Sequence, residues 1–88
     1  MKNTFGKSYR AIVEPDYPTG YVAVLPAIPG LVAHGESEQT SMELLCDLLR
    51  NYLSQLQSEG ESFPEDTVEI FWDEEDEETG ARLVTIEV

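Results

Sequence analysis

The stretch SEQTSMELLCDLLRNYLSQLQSEG, residues 37–60, decides the fold, because it is the one segment whose pattern predicts a long helix. Its apolar residues recur every three or four positions, which is the spacing of one buried helical face. Ser37 is a suitable N-cap, and Gly60 is suited to follow the last turn. We therefore predict a helix over residues 38–59, about 33 Å long at 1.5 Å per residue. The apolar stripe consists of Met42, Leu45, Cys46, Leu49, Tyr52, Leu53 and Leu56.

Two leucines of this helix fall outside the stripe. At about 100° per residue, Leu48 lies at the edge of the stripe and Leu44 lies beyond it. Two interpretations stay open: these side chains pack under the segment around Pro64, or they are exposed and bury against a second chain. Exposed apolar side chains on a small protein often mark contacts. Leu44 and Leu48 are therefore the candidate oligomer contacts.

Three short strands are predicted before the helix, over residues 8–14, 21–25 and 31–35. Short connections rich in turn-forming residues join them, which indicates an antiparallel meander. Residues 21–25 are apolar at every position, so both faces of this second strand are expected to be covered. After the helix, residues 68–72 and 82–88 alternate between apolar and polar side chains and predict one or two further strands.

The predicted fold class is α+β, with an antiparallel sheet, one long helix packed on one of its faces, and the order β-β-β-α-β(-β). The acidic run of residues 73–80 is then expected to be the tip of a C-terminal hairpin. A length of 88 residues predicts a single domain, 1–88, in which residues 1–7 form a loose N-terminal tail. No signal peptide, membrane span or C-terminal DNA-binding domain is expected, and the predicted location is cytoplasmic.

The charge balance restricts the partners. Eighteen acidic residues against five basic ones give a formal net charge of −13. Direct binding to nucleic acid or to an anionic membrane is disfavoured, because both need clustered Lys and Arg. A basic partner is favoured, since long-range attraction raises its association rate. The alternative interpretation is that the negative net charge only keeps this small protein soluble.

The residues that could carry chemistry do not form a recognisable catalytic or metal-binding pattern. Cys46 and His34 are the single cysteine and histidine, so neither belongs to a motif for a transition metal. The acidic run lacks the ligand spacing of a calcium loop. Glu14 and Asp16 could form a carboxylate pair, but their place beside a turn favours a capping role. We expect no enzyme activity and no cofactor.

The order of the turn signals resembles the HicB-type antitoxin family over about residues 9–64. The resemblance is carried by Gly20-Tyr21, then Pro26-Ala27-Ile28-Pro29-Gly30, then Ala33-His34-Gly35, with Ser37 opening the helix and Gly60-Glu61 leading to Phe63-Pro64. It implies a degraded ribonuclease H-like fold without catalytic carboxylates. It also implies binding to a HicA-type toxin, a small basic ribonuclease. Full-length antitoxins of this family usually carry a C-terminal DNA-binding segment, whereas this sequence ends in a predicted strand.

The leading hypothesis is a HicB-like antitoxin domain that occludes a basic HicA-type toxin and performs no chemistry itself. From position and charge, its candidate partner-binding residues are Glu14, Asp16, Glu43 and Asp47. The alternative is a stand-alone, homo-oligomeric HicB-like binding or scaffold protein, in which Leu44 and Leu48 serve self-association. A third class, a metal-dependent nuclease, would need a carboxylate cluster on the first strand, where Glu14 is the only acid.

Overall fold

The computed structural model describes residues 5–88. Its elements are β1 (Ser8–Pro15), β2 (Tyr21–Val24), β3 (Val32–Gly35), α1 (Glu38–Ser58), α2 (Glu74–Glu78) and β4 (Arg82–Glu87). The four strands form one sheet in the order β3-β2-β1-β4, and all neighbouring strands are antiparallel. The predicted α+β class, with a three-strand meander and a long helix on the sheet, is confirmed.

Helix α1 begins where its sequence predicts and ends at Ser58, one residue before the predicted end. The Ser37 hydroxyl accepts a hydrogen bond from the backbone N–H of Thr40 at 3.1 Å, which satisfies a free donor of the first turn. Gly60 adopts a φ of +73° just after the C-cap, a conformation that a residue with a Cβ atom rarely adopts. Leu45, Leu49 and Leu53 are fully buried, so the apolar stripe faces the sheet as predicted.

The start of α1 lies close against β3 because Gly35 has no side chain. A Cβ atom at this position would lie 2.6 Å from the backbone nitrogen of Ser41. Ser41 is itself buried, and its hydroxyl donates to the carbonyl of Glu38. This close approach brings the helix directly onto the edge of the sheet.

The hydrophobic core lies between α1 and one face of the sheet. Every second residue of β1 enters it, and the central strand is therefore buried on the side of the helix. Its buried members are Tyr9, Ala11, Val13, Ala23, Leu25, Ile28, Ala33, Leu45, Leu49, Leu53, Ile86 and Val88.

The predicted C-terminal hairpin is wrong. Residues 68–72 form no strand, and residues 74–78 form the short helix α2 instead of a hairpin tip. Asp73 caps α2 by accepting from the N–H groups of Glu75 and Asp76, while the Asp76 carboxylate accepts from the N–H of Asp73. This capping box and the acidic residues in the first turn favour a helix. β4 consequently pairs with β1 rather than with residues 68–72.

The end of the predicted loose tail is attached to the domain. The rings of Phe5 and Phe63 pack edge to face, with centroids 5.7 Å apart. The backbones of Lys7 and Val88 exchange two hydrogen bonds of 3.1 and 2.9 Å, which extend the pairing of β1 with β4. Residues 1–4 of that tail lie outside the described residues.

Neither α1 nor α2 combines the length and the apolar character that a helix needs to cross a membrane, and this statement covers residues 5–88.

The orientation of α1 predicts very different costs for two neighbouring substitutions. Leu49→Ala should lower the free energy of unfolding by about 2–5 kcal/mol, because it leaves a cavity in the core. Leu48→Ala, whose side chain is 39% exposed, should cost less than about 1 kcal/mol. Urea denaturation at low protein concentration measures both values. Equal losses would contradict the orientation of the helix.

Candidate functional site: the open face of the sheet

The sheet face opposite α1 carries a row of aliphatic side chains across all four strands. The strand register places Val32 beside Val24, Val24 beside Ile12, and Ile12 beside Leu83. Val22 lies on the same face, two residues from Val24. We call this surface, made of Ile12, Val22, Val24, Val32 and Leu83, the open face. Strands with one solvated side usually carry polar residues there, so this row is unusual.

The open face is accessible. The two ends of the row, Val32 and Leu83, are 41% and 39% exposed, and Ile12, Val22 and Val24 are partly buried. The expectation that both faces of the second strand are covered is confirmed for the side of α1 and only partly met on the other side. Ala23 and Leu25 are buried under the helix, whereas Val22 and Val24 retain contact with solvent because α1 covers the other side.

Acidic side chains surround this aliphatic row. Glu14 pairs with Val22 and Glu87 pairs with Ser8, so both carboxylates lie on the open face. Asp16 follows β1, and its carboxylate lies 3.1 Å from Nδ1 of His34 on β3. Asp16 therefore ties the turn after β1 to β3. His34 takes part in a structural contact at the strand end, as its sequence position indicated.

The four candidate partner-binding acids divide into two pairs. Glu14 and Asp16 lie at the rim of the open face, whereas Glu43 and Asp47 are exposed on the side of α1 that points away from the sheet. Because the core of the protein separates the two pairs, one flat partner surface can contact only one of them.

Hydrogen bonds and ion pairs attach the segment after α1 to the first residues of β1 and to the residue before it, and we call this set of contacts the clamp. Arg10 donates to the Asp66 carboxylate from its backbone nitrogen at 2.7 Å and from its guanidinium at 2.7 and 2.9 Å. The guanidinium also donates to the carbonyl of Val68. The Tyr9 hydroxyl donates to the carbonyl of Pro64 at 2.6 Å, and Lys7 forms an ion pair with Glu65.

The clamp changes the ionisation of its members. The hydrogen bond from Arg10 holds the pKa of the nearly buried Asp66 carboxyl below its ordinary value, and the same bond raises the pKa of Arg10. Burial, with a smaller contribution from nearby Glu65, raises the pKa of Tyr9. A bidentate pair of this kind fixes the position of both backbones.

The same segment then presents an aromatic residue and the acidic run. Phe71 is 85% exposed, and α2 follows with carboxylates at each of its positions. Gly80 lies beside Pro15, since a Cβ atom there would be 2.9 Å from the proline ring. The acidic helix is therefore attached to the end of β1 where Glu14 lies. Residues 5–88 contain no group of three His, Cys, Asp or Glu side chains suited to hold a metal ion.

The leucines outside the helical stripe are exposed. Leu44 and Leu48 are 43% and 39% accessible, so they do not pack under the segment around Pro64. Cys46, on the opposite flank of α1, is partly buried, and this burial raises the pKa of its thiol. A raised pKa leaves less thiolate at neutral pH and makes Cys46 a poor nucleophile.

Comparison with known proteins identified no relative: no family model matches the chain, and no curated protein or solved structure is significantly similar to it.

The clamp predicts a defined dependence of stability on pH. Its contribution should be complete above the pKa of Asp66 in the unfolded chain, about 3.9, and should be lost as the pH falls through the lower pKa of the folded state. The difference in unfolding free energy between the wild type and Asp66→Asn should therefore shrink on acidification below about pH 4.

The matched control is Asp47→Asn, which removes an exposed carboxylate whose ion pair with Arg50 spans 3.5 Å. Its difference from the wild type should be small at every pH, because exposed pairs contribute little. Chemical denaturation at a series of pH values measures both differences. A constant difference for Asp66→Asn would contradict the assigned role of the clamp.

Proposed function

We propose that this chain is a HicB-type antitoxin domain that binds a small basic HicA-type toxin and occludes its RNA-binding surface. The observation that carries the proposal is the open face, where an aliphatic row from Val32 to Leu83 is bordered by acidic groups. Protein interfaces commonly combine an apolar centre with a polar rim.

Charge supports a basic partner. The net charge of −13 attracts a cationic protein over long distances and speeds its association. At contact, Glu14, Asp16 and the acids of α2 would meet basic side chains that otherwise bind RNA phosphates. The aliphatic row would supply the desolvated centre on which affinity mainly depends.

The mechanism is occlusion and requires no chemistry from this chain. Glu14 is the only acid on β1, and the Asp16 carboxylate contacts His34, so the proposal assigns both carboxylates to partner binding. The degraded ribonuclease H-like fold is part of the proposal. It rests on the order β-β-β-α-β, to which this chain adds the short helix α2.

A second candidate function is a stand-alone HicB-like protein that forms homo-oligomers and has no toxin partner. The observation that favours it is the exposure of Leu44 and Leu48 on α1. In both cases the chain acts by binding another protein.

The two separated acid pairs provide a matched test of the binding surface. Glu14→Gln/Asp16→Asn should weaken toxin binding about tenfold at low salt, because it removes two charges from the rim of the interface. Glu43→Gln/Asp47→Asn removes the same formal charge from the far side of α1 and should change affinity little. Calorimetry or surface plasmon resonance with the purified toxin measures both effects.

The toxin is first obtained by pull-down from host lysate at low salt, with the tagged full chain as bait. The expected prey is a basic protein of fewer than about 100 residues that elutes as salt screens the attraction. Expressed alone, this protein should arrest growth and cleave mRNA, and co-expression of the chain should restore growth. Recovery of the bait alone would reject the toxin partner. Equal weakening by the two double variants would reject the open face as its binding site.

A further inference from the structure

We propose that this chain forms a two-fold symmetric dimer through the outer edge of β3 and the adjoining flank of α1 that carries Leu44 and Leu48. The two sheets would join edge to edge. This surface is separate from the open face, and the inference does not rest on the proposed toxin partner.

The outer edge of β3 is the less protected of the two sheet edges. Within residues 5–88, β3 and β4 each pair with a single neighbour. β4 carries charged residues at both ends, Arg82 and Glu87, whereas the titratable residue of β3 is His34, already engaged by Asp16. Charged side chains are a common means of keeping edge strands from pairing, and β3 contains no acid or lysine for this purpose. Its four residues can still form a short antiparallel pair with a second copy.

The leucine flank of α1 faces outward past this edge. On the opposite flank, Met42 lines a shallow groove with Val84 of β4, and Glu38 binds Arg82 at 3.0 Å. That side of the helix therefore points across the sheet toward β4. Because α1 packs mainly on β3 and β2, Leu44 and Leu48 lie above the free edge of β3.

The uncharged centre of this flank, around Leu44 and Leu48, selects a second copy as the occupant. At about 100° per residue, Thr40, Leu44, Leu48, Asn51 and Gln55 share one side of α1. None of these side chains is ionisable, although the chain carries a net charge of −13. The nearest acids are Asp47, at the solvent side of the flank, and Glu59, whose carboxylate lies 3.5 Å from the Gln55 amide nitrogen at the end of the helix. A basic partner would be met by acids here, whereas a second acidic copy needs a contact free of like charges. Interface centres are depleted of charged residues in the same way.

The spacing of the elements suits this arrangement. Neighbouring strands lie about 4.8 Å apart, so helices placed over the β3–β2 pair of two joined sheets would have axes about 10 Å apart. Packed helices are separated by about 8–10 Å. Antiparallel pairing of β3 with its symmetry mate would turn the two leucine flanks toward each other, as an isologous interface requires.

Sedimentation equilibrium of the purified full chain at several salt concentrations tests the proposal. The wild type should form dimers, and its dissociation constant should fall as salt rises, because salt screens the repulsion between two chains of charge −13. Binding to a basic partner would show the opposite salt dependence. The dimerisation result can therefore be interpreted even if the chain has no toxin partner. A wild type that remains monomeric at all concentrations and salts would overturn the proposal.

Single substitutions locate the interface. Leu44→Glu and Leu48→Glu should each weaken dimerisation about 30-fold or more, as expected for a charge placed at an interface centre. Ser54→Glu adds the same charge on the exposed side of α1 away from the sheet and should leave dimerisation nearly unchanged. Circular dichroism confirms that each variant is folded. A dimer that resists both leucine substitutions would refute the proposed surface.

Discussion

A single helix can cover only one face of a four-stranded sheet, and the other features of this molecule follow from that constraint. Helix α1 buries Tyr9, Ala11 and Val13 of the central strand, while Ile12 points to the other side. On that second face Ile12, Val22 and Val24 are partly exposed, and Val32 and Leu83 are exposed. The aliphatic row there is consequently accessible at the surface of the protein.

The helix and the three strands before it could be predicted because their signals are local. The apolar period, the Ser37 cap and Gly60 act within a few residues of one another. Residues 68–72 have the alternation of a strand but pair with none of the four strands, and β1 takes β4 as its second neighbour. The acidic run forms a helix instead of a hairpin tip because the Asp73 capping box and the acids of the first turn stabilise its N-terminus.

The candidate site was predicted only in part. Glu14 and Asp16 lie at the end of β1, where their sequence positions place them, but sequence position could not show that Glu43 and Asp47 lie on the far side of the core. Ile12 and Leu83 are apolar residues at positions of β1 and β4 that alternate with residues facing the helix. This pattern is the sequence signal for the open face. The contact of Arg10 with Asp66, 56 residues away, had no sequence signal, because it depends on where the chain returns after α1.

The open face and the leucine flank are compatible with simultaneous use. Joining two sheets at β3 would place both open faces on the same side, with the row of one copy continuing through Val32 into the row of the other. Two basic ligands could then bind side by side, and a tethered pair of ligands would gain from effective concentration.

The pairing of β1 with β4 has a consequence for how the chain is made. Ser8 lies opposite Glu87, so the central strand acquires its second neighbour only after almost all of the printed sequence has been synthesised. Contacts so distant in sequence slow folding. On the ribosome, β1 must therefore wait with one edge unpaired for several seconds at about 5–20 residues per second. During that interval the unpaired edge of β1 can pair with a strand of another nascent chain. Electrostatic repulsion between the densely acidic chains opposes this aggregation.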